Sequence, residues 1–211
     1  MKKTFVLITI ALVAGLASCT VSEKAIIPLS EEIKIEDTYT IIWNGTSKAY
    51  RYEEGQWERA ENYDYQFSVI QKRYDSIWKS VKNLHRQHPD YDGKAGERNQ
   101  TMYFELAYQL EGDHLICDLN ASLGRGKGVS DQEFRKQTLD FTLADVSRFS
   151  PYDHIRITQT YKYEEGILQE TVLLYKKSGA EEIPFMKNEE QAFFYVKGKT
   201  AGAPTVFRAE R

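Results

Sequence analysis

Apolar and polar side chains alternate strictly between residues 102 and 123. Met102, Phe104, Leu106, Tyr108 and Leu110 share one parity, and Tyr103, Glu105, Ala107 and Gln109 the other. Beyond Glu111-Gly112-Asp113 the alternation resumes with Leu115, Cys117, Leu119, Ala121 and Leu123. A period of two belongs to a strand with one face buried, so this stretch predicts a long β-hairpin. Ile155 to Tyr163 and Ile167 to Tyr175 repeat the pattern around Glu164-Glu165-Gly166, and a turn that short makes the two strands antiparallel. Weaker strands are predicted at Tyr39 to Trp43, Lys48 to Tyr52, Gln56 to Ala60, Tyr63 to Ile70, Leu139 to Leu143 and Ala192 to Val196.

One segment follows another period. Tyr74, Ile77, Trp78, Val81 and Leu84 recur every three or four residues ahead of Pro89, which predicts a single helix over residues 73–86. The competing reading is one long strand from Tyr63 to Trp78. Roughly nine or ten strands and one helix define a mainly β fold, and closure into a barrel or a two-layer sandwich removes the exposed edges of so many strands. An α+β fold with an open antiparallel sheet is the alternative. The barrel outline is similar to lipocalin-like lipoproteins in architecture alone.

Length and charge narrow the classes of function. A chain of 211 residues with 13% aromatic content supports one domain and argues against disorder. Its 28 basic and 31 acidic side chains offer no basic field for nucleic-acid phosphates. With two cysteines, the chain is not a disulfide-rich scaffold.

The amino terminus carries an address. Lys2 and Lys3 precede the uncharged run Phe5 to Leu16, which is too short to span a bilayer and has the proportions of a signal peptide. Leu16-Ala17-Ser18-Cys19 follows and resembles the lipobox of bacterial lipoproteins. The resemblance covers the leader only. It implies cleavage after Ser18, a diacylglyceryl thioether on Cys19 and anchoring to a membrane through acyl chains. Thr20 stands where inner-membrane lipoproteins of many Gram-negative bacteria carry Asp, which favours the outer membrane in such an organism. On this reading residues 1–18 are the signal peptide, 19–35 a lipidated tether and 36–211 a single β-rich domain in the cell envelope. Loss of Lys2 and Lys3 takes the net charge from −3 to −5, so the acyl chains rather than electrostatics hold the membrane.

Candidate chemistry is sparse. His85, His88, Asp90 and Asp92 lie in the polar stretch between the predicted helix and the long hairpin. Imidazole and carboxylate so close together could serve a hydrolase or isomerase as acid and base, whereas a solvated loop explains the same residues by turn formation. Glu105 and Gln109 could orient the polar end of a ligand if their face lined a cavity. Gly124-Arg125-Gly126-Lys127-Gly128 lacks the phosphate-loop pattern and reads as a flexible turn. Cys117 reads as a buried thiol, and His114 and His154 as surface histidines. Ser76 to Lys79, Ser130-Asp131-Gln132 and Lys199-Thr200-Ala201 follow the order of the motifs of penicillin-recognising enzymes but lack their context. No cofactor or metal is implied. The leading expectation is a non-enzymatic envelope module that binds a small amphiphile or a partner protein; a ligand-free scaffold is the third class.

Overall fold

The computed structural model describes residues 39–74, 76–145, 152–178 and 181–194. Eleven strands follow one another: β1 (Tyr39–Glu53), β2 (Gln56–Arg59), β3 (Tyr65–Tyr74), β4 (Ile77–His85), β5 (Asn99–Glu111), β6 (His114–Ala121), β7 (Gly124–Asp131), β8 (Lys136–Leu143), β9 (His154–Lys162), β10 (Ile167–Ser178) and β11 (Glu181–Phe194). Every pairing is antiparallel, neighbours in sequence pair from β3 to β11, and β11 returns to pair with β1. The result is a closed barrel of ten strands, with β2 as an added strand on β1. Closure removes the free edges that an open sheet of this size would present.

The segment predicted as a helix is instead the end of β3, a tight turn and β4. Trp78, Lys82 and Leu84 point inward, while Ile77 is 36% exposed on the outer face. A buried lysine and an outward isoleucine break the apolar alternation of β4, and the remaining apolar residues then fall at helical spacing. The same change rules out a single strand from Tyr63 to Trp78, and closure rules out the open sheet.

Two glycine-bearing stretches also differ from the sequence expectation. β1 runs unbroken through Asn44-Gly45 where two strands were expected. The stretch Gly124 to Gly128 is not a turn but most of β7, with glycines inward and Arg125 and Lys127 outward. A Cβ at Gly126 would lie 1.9 Å from the carbonyl oxygen of Asp140 and 2.5 Å from Cα of Phe141, so the neighbouring backbone occupies that space. Gly126→Ala is expected to destabilise the barrel by roughly 1–3 kcal/mol through overpacking, read as a lower urea midpoint at unchanged slope.

The outer face carries charge. Asp118, Lys127, Asp140 and Arg156 stand side by side across β6 to β9 in alternating sign, each beside an opposite charge. His154 is not a surface residue. It is 5% exposed, with Nε2 2.5 Å from Asp140 Oδ1, Nδ1 2.8 Å from Glu182 Oε1, and its ring stacked on Tyr175.

The interior divides along the barrel axis. At the pole where β1 begins and β11 ends, Trp43, Trp78, Tyr108, Phe134, Tyr161 and Phe194 fill the bore. Phe134, from the turn between β7 and β8, stacks on Trp78 with centroids 4.8 Å apart and meets Tyr108 edge-on at 4.9 Å. Such ring pairs add about 0.5–1.5 kcal/mol each beyond burial. This pole is closed. The opposite pole, bordered by the loop between β4 and β5, is open.

Candidate functional site: a half-filled barrel with a charged floor

The open half of the bore holds a cavity of about 290 Å³, near the lower end of the range for small-molecule sites. Much of its lining is apolar, with Met102, Phe104, Ile157, Val172 and Met186 among its residues. Polar Tyr65, Lys82, Asn188 and Glu190 are interleaved with them, Lys82 paired with Met102 and Asn188 with Val172. Each of these sits on the inward parity of its strand: Lys82 between Ser80 and Leu84, Glu190 between Asn188 and Ala192.

Lys82 is the centre of the floor. Its Nζ lies 2.6 Å from Glu170 Oε1 and 2.6 Å from Glu190 Oε2, and all three side chains are at most 7% exposed. Glu190 also accepts a hydrogen bond from the Tyr65 hydroxyl, and Gln159 donates to Glu170 Oε2 at 2.6 Å. From there a chain of hydrogen bonds runs to the aromatic plug. Tyr161 donates to Gln159 (3.3 Å), Gln71 to Tyr161 (3.0 Å) and Trp43 to Gln71 (2.9 Å). Gln137 donates to Gln159 and accepts from Tyr108 (2.6 Å). Connected polar groups of this kind fix one arrangement of a buried core, because each unpaired member would be costly in a low dielectric.

Two carboxyls share one ammonium, and the ionisation of Glu190 reflects that. Burial, then repulsion from Glu170, pushes Glu190 up to about 7, although Lys82 and Tyr65 pull it down. Burial lowers the Lys82 pKa, yet the two carboxylates more than offset this and raise it overall. The folded protein therefore holds a proton on Glu190 that the unfolded chain, with an ordinary value of 4.5, has released. This stabilisation is complete below pH 4.5 and is lost as pH rises through about 7. Between about pH 5 and pH 8, wild-type stability should fall relative to that of Glu190→Gln in urea titrations; parallel curves would refute the linkage.

The rim is set by the loop between β4 and β5. Tyr91 is tucked in at 7% exposure, edge-on to Tyr63 and beneath the Arg98 guanidinium, and its hydroxyl donates to Glu97 Oε2 at 3.1 Å. Burial pushes its phenol up to about 12. Arg51 and Arg86 bring cations to the same rim. The polar stretch is thus a folded cover anchored by an aromatic residue.

The four loop candidates do not converge on the cavity. Asp92 borders it, accepting from Asn62 Nδ2 at 3.2 Å and lying 3.7 Å from Arg51. His85 is exposed at the end of β4 with Nδ1 against Asn99 Oδ1. His88 Nδ1 accepts the backbone N–H of Asp90 at 3.2 Å, and the Asp90 side chain is 86% exposed. Both histidines border a shallow outer depression instead. Glu105 and Gln109 lie on the outer face, Glu105 paired with Lys79 at 3.0 Å, so the cavity belongs to the opposite parity of β5. Cys117 is buried as expected, its thiol pushed up to about 12 by burial and Asp118. Cys19 lies outside the described residues. Among the described residues no group of three or more His, Cys, Asp or Glu is placed to hold a metal ion.

Lys82, Glu170, Asn188 and Glu190 escape a search for clustered motifs because Lys82 comes from β4 and the others from the consecutive strands β10 and β11, about ninety residues later in the chain. Their signal is a charged or amide side chain on the apolar parity of a strand: Glu170 shares parity with Leu168 and Val172 within ILQETVLLY. No protein-family model matches the chain, and no curated protein matches it. The functional argument therefore rests on this geometry.

Proposed function

We propose that this protein is a non-enzymatic binding module of the bacterial cell envelope, anchored through lipid on Cys19 and holding a small amphiphile in the open half of its barrel. The observation that carries the reading is the division of the bore: one half packed by aromatic rings, the other left as a cavity with a largely apolar lining above a charged floor. A ligand-free scaffold has no need of that asymmetry, since filling the cavity with side chains would add dispersion contacts. An acyl anchor also fits the direction of the chain. β1 enters the barrel at the closed pole, so the mouth is at the end opposite the tether.

Mass spectrometry of small molecules carried by the purified protein tests the binding role. The expected result is an amphiphile released on denaturation and absent from a variant whose cavity is filled, such as Val172→Trp. Loss of nothing but solvent from both proteins would count against it. The anchor is tested separately: Cys19→Ser should move the protein from the detergent phase to the aqueous phase, and unchanged partitioning would refute lipidation.

A further inference from the structure

The floor of the cavity constrains the chemistry of what enters it, and this step rests on the binding reading above. Glu170 and Glu190 share a single cation, Lys82, 2.6 Å from each. Their other hydrogen-bond donors, Gln159 and Tyr65, are neutral. With both carboxyls ionised, the cluster holds one negative charge more than Lys82 offsets. Asn188 stands two residues before Glu190 on the same inward face of β11, is 5% exposed and lines the cavity, and its Oδ1 has no hydrogen-bond partner among the described residues. An interior acceptor without a donor is costly, as is an uncompensated interior charge. Both deficits lie on one wall and have one remedy.

We propose that the cavity takes an amphiphilic primary amine, with its ammonium group seated against Glu190 and Asn188 Oδ1 and its apolar body along Ile157, Val172 and Met186. An ammonium supplies three donors and the missing positive charge. A carboxylate head would add a third negative charge to the floor, and a hydroxyl would satisfy Asn188 while leaving the charge uncompensated. The raised Glu190 carboxyl agrees with this: the empty site compensates by holding a proton, which the arriving ammonium displaces to solvent. The groups facing Glu190 are Lys82 from β4, Tyr65 from β3 and Glu170 from β10, with Arg51 and Arg86 at the rim. Burial holds the Glu190 carboxyl up to about 7, so amine affinity should rise as pH increases through about 7.

Calorimetric titration of the purified full-length protein with octylamine, octan-1-ol and octanoate, which share one chain and differ in the head, tests the assignment. Octylamine should bind at least roughly tenfold more tightly than the other two, the scale of one charge-assisted hydrogen bond. Glu190→Gln, with its fold checked by circular dichroism, should reduce octylamine to the affinity of the alcohol. Asn188→Leu, which leaves the ion cluster in place, should weaken octylamine more than octanol. Equal or tighter binding of octanol or octanoate would overturn the amine assignment and leave the binding role standing. Failure of all three to bind would overturn both.

Discussion

Lys82→Met is expected to lower stability by roughly 3–5 kcal/mol at neutral pH, because it leaves two buried carboxyls without a counter-charge. The native contacts at stake are two ion pairs at 2.6 Å with all partners nearly inaccessible to water, so solvent screening offers little relief. The loss should shrink as pH falls through about 7, since protonation of Glu190 removes one of the two uncompensated charges. Removing the carboxyls as well provides the control. In Lys82→Met combined with Glu170→Gln and Glu190→Leu, most of the stability should return, since a buried ion cluster replaced by apolar or neutral groups of similar size is often neutral or better. Urea denaturation of the single and triple variants at two pH values decides the matter. A single variant that loses less than about 1 kcal/mol would place Lys82 in a solvated setting, as for an exposed pair.

Phe134→Ala should cost about 3–5 kcal/mol, the range for deleting a large ring from a packed interior. The ring is 1% exposed and closes the pole against Trp78 and Tyr108, while Tyr163 donates to its carbonyl oxygen at 2.9 Å. Its backbone is unusual for so bulky a residue, with φ of 55°, where a Cβ brings a steric cost of about 1–2 kcal/mol. Packing holds the turn in that conformation. Phe134→Gly loses the same ring yet should be no less stable than the alanine variant, because glycine takes positive φ without that cost. Thermal melts of the two variants side by side check both parts, and a glycine variant clearly less stable than the alanine would sink the strain argument.

The legible parts of the chain were those where polarity and strand parity agree. From Met102 to Leu123 and from Ile155 to Tyr175 every inward position is apolar or aromatic, apart from Gln159 and Glu170, and the hairpins stand where the alternation put them. β4 failed for the same reason that the site was missed. Lys82 occupies an inward position because Glu170 and Glu190 meet it across the bore, and neither is near it in sequence. A residue whose burial depends on partners 88 and 108 positions away disrupts the local pattern, and the disruption was read as a helix. β7 was obscured in the opposite way, by glycines whose missing side chains mark the approach of β8 rather than a turn.

Sequence by itself determined the class of structure, mainly antiparallel strands joined by short turns, because side-chain alternation is a property of neighbours along the chain. It also supplied Leu16-Ala17-Ser18-Cys19, on which the proposed anchor depends. Tertiary structure alone decided that the sheet closes on itself, that aromatic rings fill one half of the bore, and that one lysine and two glutamates converge beneath a cavity in the other half. Closure and convergence depend on contacts between strands distant in sequence, and the free energy of a buried charge is set by what surrounds it in space.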